Sequence, residues 1–127
     1  MEKYIDAFVL PIAKKDLEKY KEVAQKIAAI WKEYGATAYF EYQNDEENIE
    51  GTASFSQALK STKNETVIFG WTVFPSKEIR DYANKKVPTD PRMKELVSPL
   101  LQGNKPIFDS NKMMYGGFKP LVFIEED

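Results

Sequence analysis

The sequence has 127 residues, 43% hydrophobic and 30% charged, with 18 basic and 20 acidic side chains and a net charge of −2. That is the size and mixture of one soluble domain spanning residues 1–127, and with 9 basic residues in the first 64 and 9 in the remainder it has no basic stripe for a nucleic-acid backbone. Cysteine and histidine are both missing, which excludes a disulfide, a thiolate nucleophile, Cys/His zinc, a Cys-ligated iron–sulfur cluster, His-ligated haem and a Ser–His–Asp triad.

The opening residues Met1 to Asp6 are acidic where a signal peptide needs a basic start and an apolar stretch, so a cytoplasmic location is expected. No apolar run reaches the ~18 residues of a membrane span. Lys3 to Leu10 alternates and is rich in β-formers, and reads as a first strand that stops at Pro11. Asp6 shares a face with Tyr4 and Phe8, while Ile5, Ala7 and Val9 take the other. From Lys15 to Tyr34, apolar residues including Leu17, Tyr20, Ala24, Ile27 and Trp31 recur mostly at steps of three and four, the period of an amphipathic helix. Glu18 with Lys21 and Glu22 with Lys26 add helical charge spacing. Gly35 is placed to end this helix.

Ala36 to Tyr42 reads as a second strand, with Thr37, Tyr39 and Glu41 on one face. An acidic loop follows, 43–53, and then an ambiguous stretch, Ser54 to Ser61. Thr66 to Phe74 is an apolar run of β-branched and aromatic residues ending at Pro75, the strongest strand signal in the chain. Ser76 is an N-cap for a helix over Lys77 to Lys86, and Asp90-Pro91 starts another that runs to Leu101. Met113 to Ile124 reads as a last strand region, interrupted by Gly116-Gly117, with a fraying tail Glu125-Glu126-Asp127.

Strand–helix–strand is thus followed by a second strand–helix–strand. Two such units side by side predict an α+β, ferredoxin-like βαββαβ fold: a four-stranded antiparallel sheet with helices on one face. The other face stays uncovered, and its aromatics call for a second copy of the chain, a ligand, or both.

Three blocks and the opening carry a family resemblance: WTVFPSKEIRDYANKK at Trp71 to Lys86, DPRMK at Asp90 to Lys94, KMMYGGFKP at Lys112 to Pro120, and YIDAFV at Tyr4 to Val9. Together they resemble the YbaA-like bacterial family known as domain of unknown function 1428. The resemblance implies a homodimeric α+β barrel, in which two ferredoxin-like sheets pack together. It implies no particular activity. The wider superfamily of dimeric barrels holds quinone-forming monooxygenases, haem-degrading enzymes, dechlorinases and stress proteins.

Four groups of residues are candidates for function. Asp6 and Glu41 lie mid-strand among aromatics; buried, either becomes a general acid or base, whereas at a wet edge or beside Lys or Arg it is structural. Trp71 and Tyr115 offer stacking surfaces for a flat ligand, against the commoner role of aromatics in cores and interfaces. Arg80 and Asn84, four apart on one helix face beside the Asp81–Lys85 pair, form a clamp for a carboxylate or other anion, or else an ordinary solvated face locked to the DPRM turn through Arg92. Gly116-Gly117 does not open a helix, so a bulge or a close approach explains it better than phosphate binding.

No cofactor and no metal site is expected. A small organic ligand in the barrel is the leading functional reading. A cofactor-independent monooxygenase or isomerase acting on a phenolic or quinol substrate, and a structural or stress-related dimer without ligand, are the alternatives.

Overall fold

The structure is a computed structural model and describes residues 3–47 and 49–125. The outermost residues of both ends, Met1, Glu2, Glu126 and Asp127, lie outside the described residues, including the last two of the tail expected to fray.

Strand β1 (Tyr4–Ala13) leads through a 3-10 turn at Lys14–Asp16 into helix α1 (Leu17–Glu33). Gly35, at φ +116°, closes α1: its N–H reaches the Lys32 carbonyl and that of Ala36 reaches Trp31, a pairing that needs a residue tolerant of positive φ. Strand β2 (Ala38–Gln43) follows, then the acidic loop and a single-turn helix α2 (Phe55–Ala58) capped by Ser54. Strand β3 (Glu65–Phe74) precedes helices α3 (Lys77–Lys86) and α4 (Pro91–Leu101), whose N-caps are Ser76 and Asp90 as expected. Strand β4 (Met114–Phe118) closes the sheet.

The strand order is β2-β3-β1-β4, and each neighbouring pair is antiparallel. This is the ferredoxin-like arrangement that the element order predicts. Pleating splits the sheet into two faces. Phe8, Leu10 and Ile12 of β1 and Ile68 of β3 pack with Tyr20 and Val23 of α1 and Leu100 of α4 to form the main core. Among the described residues helices meet the opposite face only at one edge, where Phe55 of the short α2 packs on Phe69.

Strand β2 starts at Ala38 instead of Ala36 and runs one residue past Tyr42, and two other strand ends differ from expectation for physical reasons. β1 continues through Pro11 to Ala13, pairing Pro11 with Val67. β4 reaches only as far as Val9, so from Leu10 onward β1 is a sheet edge on that side, where a missing N–H breaks no ladder. β4 itself ends at Phe118, short of Ile124, because Pro120 lacks the donor that would extend it. The Gly116-Gly117 pair forms no bulge: Gly116 faces Ala7 and Gly117 faces Asp6 in unbroken register. A Cβ on Gly117 would stand 2.7 Å from Nη2 of Arg80 and 2.5 Å from the Tyr4 hydroxyl, so close approach is the reason for glycine there.

Candidate functional site

The helix-covered face of the sheet carries two rows with polar side chains, buried at Asp6 and Thr72, half-buried at Tyr39 and Glu41, and half-exposed at Tyr115. Register places Tyr39, Thr72, Asp6 and Gly117 across one row, and Glu41, Gly70, Phe8 and Tyr115 across the next. A row with polar side chains inside a core needs partners for each of them, and the structure supplies two separate sets.

Asp6 is fully buried, with 0% of its surface exposed. Helix α3 crosses above it and delivers two partners from one helical face, four residues apart. Arg80 donates from Nε to Oδ1 at 2.9 Å and to Oδ2 at 3.2 Å, and its Nη2 lies 2.9 Å from Oδ1. Asn84 donates from Nδ2 to Oδ2 at 2.8 Å. Nη1 of Arg80 turns outward to Asp81 at 3.0 Å, and the guanidinium also lies over the Tyr4 ring. These hydrogen bonds to Asp6 push the Arg80 pKa above its usual value, opposed in part by desolvation. Arg80 and Asn84 thus converge on the protein's own carboxylate. Arg92, instead of bridging to α3, ties Asp90 and Glu33, and Tyr34 adds a hydrogen bond to Asp90 at 2.7 Å.

Glu41 sits two strands away from Asp6, on the outer strand β2. Its Oε2 accepts from the Tyr39 hydroxyl at 2.7 Å, and its Oε1 accepts from the Tyr20 hydroxyl, which reaches down from α1. Burial raises the Glu41 pKa, and the two phenol hydrogen bonds pull it partly back. Burial first, then the adjacent carboxylate, push both phenols upward, so both stay protonated.

Between the sheet, α1 and α4 lies a cavity of about 200 Å³. Phe8, Ile27, Leu100, Phe108, Met93 and Met113 supply apolar wall, and Tyr20, Tyr39, Glu41, Thr72 and Tyr115 supply polar atoms. Tyr20, Ala24, Tyr39 and Glu41 also line an outer groove of about 440 Å³ between α1 and β2, so the Glu41 cluster stands between groove and cavity. Tyr115 lies parallel to Phe8, with ring centroids 6.2 Å apart, and burial followed by the nearby Asp6 charge raises its pKa.

Trp71 takes the opposite side of the sheet. It stacks with Tyr42 at 5.5 Å and contacts Phe40 at 4.9 Å and Phe69 at 5.8 Å. Phe55 of α2 adds to the edge of this cluster through Phe69. Four of the sequence candidates, Asp6, Arg80, Asn84 and Tyr115, are therefore neighbours; Glu41 is a second centre, and Trp71 belongs to another surface. Tyr20 and Tyr39 were not singled out by sequence. Tyr39 shares a face with Glu41 two residues on, which is legible from strand pleating. A tyrosine in place of a fully apolar residue on the α1 stripe signals a buried hydroxyl seeking a partner, but not which one.

Among the described residues no group of three or more acidic side chains is placed to hold a metal ion, and no helix is long and apolar enough to cross a membrane.

The strand order and one-sided helices define a ferredoxin-like α+β fold. The chain belongs to the family described as a protein of unknown function (DUF1428), which its residues 3–109 match. It is 38% identical over 120 residues to the uncharacterized protein YbaA of Escherichia coli strain K12, a match covering 94% of this chain and 97% of that one, and equally similar to YbaA of Shigella flexneri. Among solved structures, an uncharacterized NIPSNAP-like domain protein from Burkholderia xenovorans superposes with a TM-score of 0.57 at 12% identity, covering 98% of this chain and 90% of that one. A nipsnap family protein of unknown function from Agrobacterium tumefaciens gives 0.56 at 14% identity, with 96% and 91% covered. A dimeric ferredoxin-like protein from an uncultured marine organism gives 0.52 at 11% identity, with 99% and 100% covered. At these identities the structural likeness is one of fold.

Proposed function

We propose that this chain is a cytoplasmic, one-domain homodimer that binds a small organic molecule in the cavity beneath α1 and α4. The cavity carries the reading: about 200 Å³ of mostly apolar space with the polar groups of Tyr20, Tyr39 and Glu41 gathered at one side. An apolar cavity of about 150 Å³ holds one benzene ring, so a molecule of one or two rings fits. The dimer rests on the uncovered sheet face, where Phe40, Tyr42, Phe69 and Phe118 are each 38–60% exposed around Trp71. A contiguous apolar patch of that kind marks an interaction surface, and one structural neighbour is described as dimeric.

Native mass spectrometry of gently purified protein tests both parts. A mass of two chains with a bound molecule of roughly one or two rings supports the reading. A monomer at micromolar concentration by light scattering removes the dimer. Failure of any aromatic molecule to raise the melting temperature removes the ligand.

A second reading is favoured by Glu41, whose raised pKa and place in the cavity wall suit a general base. It would take the proton of a phenolic or quinol substrate, the first step of a cofactor-independent oxygenation or isomerisation. Oxygen uptake with a panel of anthrones and hydroquinones, lost on Glu41→Gln, supports it; no uptake across the panel removes the oxygenase reading.

A further inference from the structure

We propose that the cavity selects molecules that present a hydrogen-bond donor and carry no negative charge, a phenol or a protonated amine, and that Glu41 is the group that reads the donor. This deepens the ligand-binding reading above and rests on it.

The argument is an inventory of donors and acceptors. Tyr20 and Tyr39 have one hydroxyl hydrogen each, and both are spent on Glu41. What remains on the two phenol oxygens is lone pairs. A carboxylate offers about four acceptor sites, so Glu41 keeps about two after accepting from the tyrosines. The whole cluster therefore accepts hydrogen bonds and has none to give. A carbonyl or ether group placed against this cluster would leave its own oxygen unmatched and would find a donor only at Thr72, Tyr115 or Trp31 elsewhere in the wall, whereas an O–H or N–H group meets waiting lone pairs at Glu41.

Charge points the same way. Among the described residues lining the cavity, Glu41 is the one charged side chain. Arg80 is the cation that reaches this face of the sheet at Asp6, and its three nitrogens are committed: Nε and Nη2 to Asp6, Nη1 to Asp81. Lys21 lines the outer groove but not the cavity. A carboxylate or phosphate in the cavity would face a like charge with no cation to match it, in a place where water screens poorly. An ammonium would supply the cation that Glu41 lacks. The apolar walls then hold the rest of the molecule, and they select for size more than for chemistry.

Methionine methyl groups report the binding. Met93 and Met113 line the cavity, and Met114 lies on the uncovered sheet face, 50% exposed. The full chain, labelled with carbon-13 at its methionine methyls, is titrated at mildly alkaline pH with benzylamine, phenol, toluene and benzoate, which are close in size. Benzylamine and phenol should shift Met93 and Met113 but not Met114, with affinities at least about tenfold above those of toluene and benzoate, the discrimination expected of a site built around a polar partner. Glu41→Gln should remove most of the benzylamine advantage and leave toluene unchanged. Tyr39→Phe, which keeps the carboxylate and frees one of its oxygens, should keep benzylamine ahead of benzoate.

Benzoate binding as tightly as benzylamine, or a ranking that Glu41→Gln leaves intact, overturns the donor selection while the ligand cavity stands. If Glu41→Gln does not fold, Tyr39→Phe decides, and loss of the preference in it overturns the proposal. Methionine shifts from none of the probes overturn the selection and the cavity reading together.

Discussion

Asp6 and Glu41 are carboxylates on the same face of one sheet, in adjacent rows, and they are held in opposite ways. Asp6 is sealed from water and matched by a guanidinium and an amide from α3. Glu41 is less deeply buried and is held by two phenols with no cation. A matched charge fixes one helix to one strand and has little capacity left. An unmatched one keeps lone pairs and a shifted proton equilibrium, which are the properties a binding or proton-transfer site needs. The contrast assigns Asp6, Arg80 and Asn84 to holding α3 against the sheet, and leaves Glu41 as the centre of the candidate site.

The contrast is most exposed to Arg80→Ala. Removing the cation leaves a buried carboxylate uncompensated, which costs about 3–5 kcal/mol, and urea unfolding should show a loss of that size. A loss below ~1 kcal/mol would mean that Asp6 does not depend on its cation, and the distinction from Glu41 would collapse. Gly117→Ala comes next. Its methyl group would press on Tyr4 and Arg80, and overpacking of this kind costs about 1–3 kcal/mol, readable in the same unfolding experiment.

Tyr39→Phe removes one neutral donor from Glu41, an effect of about 1 kcal/mol. It should also raise the Glu41 pKa further, because a hydrogen bond that favours the charged form is lost, and carboxyl-carbon NMR titration checks the direction.

Glu41→Gln should have the smallest effect on stability, within about 1 kcal/mol at neutral pH, since burying an unmatched charge is itself unfavourable. Its pH dependence is the sharper test. The folded-state pKa of Glu41 is raised from 4.5, so ionising it costs more in the folded chain than in the unfolded one. That penalty is fully present above the folded-state pKa and disappears as pH falls towards 4.5. Wild type should therefore gain on Glu41→Gln as the solution is acidified through this window. Asp90 has the opposite sign: Arg92 and Tyr34 hold its pKa below the usual 3.8. Its contribution is present above that value and is lost on further acidification, in wild type and variant alike. A difference between wild type and Glu41→Gln that stays flat with pH would show that the Glu41 proton equilibrium is not shifted.

Much of the fold is legible in the residues. The period of two places Asp6, Tyr4 and Phe8 on one face and Ile5, Ala7 and Val9 on the other, and the structure keeps that division. Ser76 and Asp90 mark their helix starts because a side-chain oxygen before a helical run has free N–H groups to accept from. Pro11 misleads as a stop signal, since whether a proline ends a strand depends on what lies beside it. The candidate site is less legible. Asp6 and Glu41 look alike in the sequence: each is an acid in an aromatic-rich strand. What separates them is a helix from elsewhere in the chain, carrying an arginine in one case and a tyrosine in the other.

The order of the main strands and helices, the two faces of the sheet, the family, and the exclusion of cysteine and histidine chemistry are all readable from the residues alone. These follow from local backbone geometry and from composition, which need no knowledge of distant contacts. That Arg80 and Asn84 close on Asp6, that Tyr20 reaches Glu41, and that a cavity remains beside α4 emerge only from how the folded chain packs. Those outcomes depend on how helices cross the sheet and how far each side chain extends, and residues 74 positions apart, such as Asp6 and Arg80, are brought together by packing that no local pattern encodes.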